Sequence, residues 1–188
     1  VGNGVLDPAA VDASLDIPEL DFVIGSLHSQ SARAGGRGIF TVAHESAKRE
    51  DCAAILDDYM DMLEELTGTK GWDVLGHVIY PLRYLPEEYG LDLRPWWDRL
   101  AEIFRSVIAQ GRGIEFNTSC GTTVEQWRDV LALYRDLGGE VLTLGADAHQ
   151  PKFMAAAFPQ ALALLEELGF RWLCVYRRRT PLFCKIDS

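Results

Sequence analysis

The chain has 188 residues, a length that fits a single domain. Hydrophobic residues make up 48% and charged residues 24%, so the composition is that of a globular protein rather than a disordered one. The net charge of −10 argues against a nucleic-acid binder, which normally presents a basic face. No apolar run approaches the roughly 18–20 residues that cross a bilayer, and no signal peptide is recognisable. These features predict a cytoplasmic protein.

The predicted elements begin close to the first residue. Residues 1–4 resemble the exit from a strand, and a short apolar run predicts a strand at 21–25. A Gly-rich stretch at 29–38 leads to a helix at about 48–66, whose apolar positions recur at helical spacing. The next strand is predicted at 73–77. Short apolar strands of this kind are typical of a sheet that is buried on both faces.

The second half of the chain repeats the same order of strand and helix. A helix at about 95–110 precedes a strand at 113–117, and Thr122 with Glu125 predicts a capping box that opens a helix ending near Leu137. The remaining predicted segments are a strand at 141–144, a helix at 152–168, a strand at 172–176 and an extended piece at 181–186. This repetition predicts an α/β fold, with a parallel sheet covered by helices.

The chain's cysteines predict no disulfide framework. Cys52, Cys120, Cys174 and Cys184 are scattered and form no C-x-x-C pair. In a chain long enough to bury a core, this pattern indicates reduced thiols rather than disulfides or a zinc ribbon. Cys120 falls in the loop after a predicted strand, where we expect it to be a bystander.

Three of the four histidines fall at or just after the carboxyl end of a predicted strand. They are His28, His77 and His149, and Asp147 stands two residues before His149. Ligands of parallel α/β folds bind at that rim. Imidazole and carboxylate groups suit zinc, manganese or iron, so the pattern predicts a metal site, although a single histidine at a strand end is more often an ordinary polar residue. His44 is predicted to be a loop or capping residue.

Four segments, in order, resemble successive motifs of the polymerase and histidinol-phosphatase (PHP) family, in its histidinol-phosphatase branch. They are DFVIGSLH at 21–28, DVLGH at 73–77, EFNTS at 115–119 and GADAH at 145–149. The resemblance implies a distorted (β/α)₇ barrel of TIM-like type, of which residues 1–188 would form the C-terminal two-thirds as one domain. It also implies hydrolysis of a phosphomonoester, histidinol phosphate in histidine biosynthesis, by a metal-activated water without a side-chain nucleophile.

The same resemblance implies which residues bind metal. His28 and His77 would share one divalent ion, Asp147 would bind a second and His149 a third. The family's other ligands, which are a His-x-His motif, a further histidine and a bridging glutamate, would lie before Val1. We therefore expect the isolated chain to bind metal weakly and to be incomplete for catalysis. An upstream segment or self-association would then cover an open sheet edge.

Arg83 matches the family's phosphate-binding arginine, and a planar guanidinium can hold two phosphate oxygens at once. Asn117 and Arg33 are the further candidates for substrate binding. Two positions depart from the family: Ile79 stands where an acidic residue is frequent, and Gly121 begins the segment that often carries a second arginine. These departures leave another phosphomonoester open as the substrate.

Two other functions stay open at this point. One is a non-catalytic PHP-like module that serves interaction or structure, and the other is a metal hydrolase of a different bond, such as an amide. The retained His28, His77, Asp147 and His149 argue against the first, and Arg83 favours phosphate over the second. The expected partner is a small phosphorylated substrate, with no nucleic acid and no membrane.

Overall fold

The computed structural model describes residues 8–15, 17, 19–46 and 48–186. The strand exit predicted at 1–4 lies outside these residues. Within them, no helix combines the length and the apolarity that crossing a membrane requires.

A parallel sheet of four strands forms the centre of the structure, as the sequence predicts. The strands are β1 (Ile24–Gly25), β2 (Val74–Leu75), β3 (Gly113–Asn117) and β4 (Leu142–Gly145), and they lie in chain order. Ile24 stands opposite Val74, and Asn117 stands opposite Gly145. Parallel neighbours need a crossover connection, and the helices between the strands supply it. The α/β fold with a parallel sheet is therefore confirmed.

The fifth predicted strand does not continue this parallel repeat. β5 (Trp172–Arg177) pairs antiparallel with β6 (Thr180–Lys185) in a separate two-stranded sheet beside β4. The turn residues Arg178 and Arg179 have φ angles of 47° and 62°. Two positive φ angles give a two-residue turn whose twist matches that of the paired strands, so the chain reverses here instead of crossing over. A seven-stranded barrel stays a prediction.

Helices α1 (Pro8–Leu15), α2 (Ile39–Glu45), α3 (Arg49–Thr67), α4 (Trp97–Ala109), α5 (Arg128–Asp136) and α6 (Phe158–Glu167) are found in the described residues. The last four confirm predicted helices, whereas α1 and α2 were not predicted. Helices α2 to α6 pack their apolar faces into a common core, in which Phe104 of α4 meets Tyr134 of α5 edge to face at 5.3 Å between ring centroids.

Two predicted helix starts are wrong. The Thr122 hydroxyl donates to the Ser119 carbonyl at 2.8 Å instead of capping a helix, and α5 begins only at Arg128, after a 3₁₀ turn. The helix predicted from 152 begins at 158, because Ala155 and Ala157 have φ angles of 57° and 58°, which an α-helix does not allow.

Candidate functional site

Five predicted site residues lie at the carboxyl ends of the parallel strands. His28 follows β1, His77 follows β2, Asn117 ends β3, and Asp147 and His149 follow β4. Parallel strands end at the same edge of a sheet, so these residues share one rim. His77 has φ 24° and Asp147 has φ 53°. Positive φ is uncommon for residues other than glycine, and such backbone strain clusters at functional sites.

His28 and His77 face each other at this rim. Their Nε2 atoms are 2.9 Å apart, and the rings stack with centroids 5.1 Å apart and an angle of 20° between their planes. Burial, together with the neighbouring His77, lowers the pKa of His28 to about 4. His28 is therefore neutral near pH 7, which is the form of imidazole that binds a metal ion.

Glu115, in the middle of β3, orients His77. Its side chain is buried, and Oε2 accepts hydrogen bonds from Nδ1 of His77 at 2.8 Å and from the His77 backbone N–H at 3.1 Å. With Nδ1 bound to Glu115, Nε2 is the ring nitrogen of His77 that faces His28. A carboxylate behind a histidine in this way fixes the tautomer and the ring orientation of metal-binding histidines.

Sequence reasoning did not identify Glu115 as a site residue, although it lies within one of the family-like motifs. The signal was present, because a carboxylate inside an otherwise apolar buried strand needs a specific partner. The space for this carboxylate comes from Gly145 on β4, where a Cβ atom would lie 2.4 Å from Oε1 of Glu115.

Asn117 and Arg83 extend the contacts from Glu115 to the loop after β4. Asn117 Nδ2 donates to Glu115 Oε1 at 3.1 Å, and Arg83 Nη2 donates to Asn117 Oδ1 at 2.8 Å. Arg83 Nη1 donates to Asp147 Oδ2 at 2.7 Å. Partial burial raises the pKa of Asp147, but the hydrogen bond and the charge of Arg83 outweigh it, so that pKa lies below its ordinary value.

These contacts form one continuous chain of side chains, which we call the site network: His28, His77, Glu115, Asn117, Arg83 and Asp147. It joins the carboxyl ends of all four parallel strands. Arg83 is the cation of the network, and only 5% of its side chain is exposed. Its Nε atom is buried and has no partner among the described atoms.

Two buried side chains hold the backbone at Asn117. Its carbonyl oxygen accepts hydrogen bonds from the Thr123 hydroxyl at 2.9 Å and from the Trp127 indole N–H at 2.8 Å. Trp127 is fully buried, so this loop rests on the core. The Cys120 thiol lies 3.5 Å from a backbone carbonyl oxygen of the loop after β4 and takes no part in the site network.

Three other residues lie outside the site network. His149 is exposed, and its Nδ1 lies 3.1 Å from the Asp147 carbonyl oxygen. Arg33 is 78% exposed and approaches Asp61 of α3 at 3.7 Å. His44 lies on α2 instead of in a loop. Over the described part of the chain, no three His, Cys, Asp or Glu side chains are grouped to hold a metal ion. The individual metal assignments stay predictions.

The chain is similar to curated histidinol-phosphatases over most of its length. It is 26% identical over 173 residues to the histidinol-phosphatase of Lactococcus lactis subsp. lactis, covering 88% of this chain and 62% of that protein. It is 27% identical over 179 residues to a probable histidinol-phosphatase of Deinococcus radiodurans, covering 90% and 63%. The resemblance to histidinol-phosphatases is confirmed.

A solved structure shares the fold. It is the histidinol phosphate phosphatase from Lactococcus lactis complexed with zinc, L-histidinol and phosphate, with a TM-score of 0.75 at 23% identity over 93% of this chain and 66% of that one. The chain thus spans somewhat under two-thirds of the length of its curated relatives. No protein-family model matches it.

Proposed function

We propose that this chain carries the substrate- and metal-binding part of a phosphomonoester hydrolase of the histidinol-phosphatase type, on a (β/α)₇ barrel. The observation that carries the proposal is the pair of Nε2 atoms of His28 and His77, 2.9 Å apart, with Glu115 bound to the far nitrogen of His77. The similarity to histidinol-phosphatases supports it. The substrate we propose is histidinol phosphate, because it is the ester of L-histidinol and phosphate, which are both bound in the structural relative.

The residues present suit a divalent ion. Two imidazole nitrogens face one space, and imidazole binds zinc at about 2.0–2.1 Å, so one ion can contact both His28 and His77. Asp147 supplies a carboxylate and His149 a third imidazole at the same rim. We propose that these four residues bind zinc, manganese or iron, with up to three ions in the complete site. Such ions polarise phosphoryl oxygens and supply a hydroxide from bound water near neutral pH.

Arg83 contributes the positive charge that a phosphate needs. Its guanidinium is almost fully buried, and Asn117 and Asp147 hold its two terminal nitrogens in a fixed plane. A cation held in this way stabilises the negative charge of the phosphoryl group without reorganising. Asn117 therefore acts in two places, since it orients Arg83 through its oxygen and Glu115 through its nitrogen.

The test is zinc binding and phosphate release by the full product of the gene that encodes this sequence. We expect zinc to bind by calorimetry, and histidinol phosphate to be hydrolysed with zinc or manganese. His28→Asn should weaken zinc binding by more than about 100-fold, because it removes a ligand, and loss of a partner behind a ligand already costs about 10- to 100-fold. Asp61→Asn, on the surface of α3, should leave zinc binding unchanged. Zinc binding without hydrolysis of any phosphomonoester would contradict the enzyme assignment and support a non-catalytic module.

A further inference from the structure

Two buried polar atoms lie close together beneath the site network and lack hydrogen-bond partners. Over the described residues, three buried side-chain atoms have none: the Tyr59 hydroxyl, Arg83 Nε and the Thr143 hydroxyl. Tyr59 belongs to α3, which packs against the 3₁₀ turn Tyr80–Arg83. Burial raises the pKa of Tyr59, and the nearby positive charge of Arg83 acts in the opposite direction. The phenol of Tyr59 and the guanidinium of Arg83 are therefore neighbours.

The hydroxyl of Tyr59 has a cost that packing does not explain. The side chain is 1% exposed and lies on the apolar face of α3 with Ile55 and Leu63. A phenylalanine would fill the same space without an O–H group, and a buried hydroxyl without a partner lowers stability. An unpartnered group of this kind calls for another role, and activity is one for which proteins give up stability.

The guanidinium of Arg83 is fixed through its two terminal nitrogens alone. Nη1 donates to Asp147 and Nη2 donates to Asn117, whereas Nε has no partner among the described atoms. Once Asp147 binds a metal ion, as proposed above, its carboxylate holds Nη1 less firmly and Asn117 is the main contact left. A guanidinium with one fixed partner can rotate, so the phosphate-bound state needs a second partner to keep its plane oriented.

We propose that Tyr59 is a positioning residue for Arg83, and that its hydroxyl oxygen accepts the Nε–H of Arg83 in the phosphate-bound state. The two groups are complementary, because Nε carries one N–H donor and a phenol oxygen is an acceptor. Both atoms gain a partner in one step, which offsets the cost that each carries in the ligand-free protein. This inference rests on the proposed function, because it concerns the arginine that binds phosphate there.

Tyr59→Phe should have two effects of opposite sign in the full product of the gene. Without ligands, the variant should unfold at a higher urea concentration, because it lacks a buried hydroxyl that has no partner. With zinc present, calorimetry should show inorganic phosphate binding about tenfold more weakly, which corresponds to about 1.4 kcal/mol. A hydrogen bond to a charged group contributes about this much or more. A side chain that only supports the fold would lower both quantities together.

The matched control is Tyr134→Phe. Tyr134 is fully buried as well, but its hydroxyl donates to the Val141 carbonyl oxygen at 2.9 Å, and its ring packs on Phe104 of α4, outside the site network. This variant should unfold at a lower urea concentration and bind phosphate with an unchanged Kd. The same chemical change should thus alter stability in opposite directions at the two positions and phosphate affinity at Tyr59 alone.

The Nε–H signal of Arg83 reports the proposed contact directly. In proton–nitrogen correlation NMR of the arginine side chains, Arg83→Lys identifies this signal by removing it. Saturating the zinc-bound protein with phosphate should move the signal downfield and slow its exchange with water, because the N–H becomes hydrogen-bonded. In Tyr59→Phe saturated with phosphate, neither change should occur.

Three results would each overturn the proposal. They are equal phosphate Kd values for Tyr59→Phe and the unsubstituted protein, a loss of stability in ligand-free Tyr59→Phe, and the same change of the Arg83 Nε–H signal in both proteins. No binding of phosphate by the zinc-bound protein would overturn the proposed function together with the role of Tyr59.

Hydrolysis of histidinol phosphate separates the role of Tyr59 from the proposed function. If the unsubstituted protein hydrolyses this ester but Tyr59→Phe leaves phosphate affinity unchanged, the positioning role is refuted and the function stands. If it hydrolyses no phosphomonoester but Tyr59→Phe weakens the binding of inorganic phosphate and abolishes the Nε–H change, the function is refuted and the positioning role stands.

Discussion

Gly145 on β4 gives the sharpest test of how the site network is built. A Cβ atom at this position would lie 2.4 Å from Oε1 of Glu115 and 3.3 Å from its Cδ. The Glu115 carboxylate has two responses to Gly145→Ala. It can stay in place against an overlap, or it can rotate and give up its hydrogen bonds to Asn117 and His77.

Both responses destabilise the fold. Overpacking of a well-packed site costs about 1–3 kcal/mol, and a hydrogen bond to a charged group contributes about 1.5–3 kcal/mol. Replacing glycine by alanine where φ is not positive stabilises the fold by about 0.4–1 kcal/mol, because it lowers the conformational entropy of the unfolded chain. We therefore expect Gly145→Ala to lower the free energy of unfolding by about 2 kcal/mol in urea titrations. Zinc affinity should fall about 10- to 100-fold, because His77 loses its orienting carboxylate.

The control for this substitution is Gly38→Ala. Gly38 has φ −57°, and the nearest atom to a Cβ there, the Thr41 hydroxyl oxygen, is 3.7 Å away. Stability should change by about 0.5 kcal/mol or less at such a site. In a Glu115→Ala background, Gly145→Ala should lose most of its cost, since the clash partner is gone. Unchanged stability and zinc affinity in Gly145→Ala would refute the role assigned to Glu115.

Three further substitutions test contacts that support the site. Arg179→Met removes the cation 2.6 Å from the buried Asp73 carboxylate. The free energy of unfolding in urea should fall by about 2 kcal/mol, less than for a fully buried pair, because Arg179 is partly exposed. Trp127→Phe removes the N–H that donates to the Asn117 carbonyl, and calorimetry should show a free energy of unfolding lower by about 1 kcal/mol. Tyr59→Phe removes a buried hydroxyl without a partner among the described atoms and should raise the free energy of unfolding by about 1 kcal/mol; a loss would show that the hydroxyl is satisfied.

The parallel sheet could be predicted because local sequence patterns specify each of its strands and helices. Each strand is a short apolar run, and each of the predicted helices has an apolar face at helical spacing, so neighbouring residues alone specify the element. The turn at Arg178 and Arg179 could not be predicted in the same way. Two-residue hairpin turns usually contain Asn or Gly, whereas here long-range contacts hold the turn: the Arg178 N–H donates to Asp21 Oδ1 at 2.7 Å, and Arg179 pairs with Asp73.

The rim of the sheet was also predictable, because a residue that ends a parallel strand has a known position in the fold. His28, His77 and Asp147 were placed there from their position after apolar runs, and the structure brings their strand ends together. What the sequence could not show is which side chains touch. Glu115 and Arg83 are separated by 32 positions, and their connection through Asn117 depends on rotamers that only packing decides.

The geometry also refines the role of Arg83. A phosphate-binding arginine is usually pictured with both terminal nitrogens open to the ligand, yet here Asn117 and Asp147 occupy them and the Nε atom is buried. Each terminal nitrogen keeps a second N–H, through which Arg83 can bind phosphate while it holds Asn117 and Asp147. A divalent ion at Asp147 would compete for the same carboxylate oxygen and so free one guanidinium nitrogen. We therefore expect metal binding and phosphate binding to be coupled through the ion pair of Arg83 and Asp147, which joins the segments after β2 and β4.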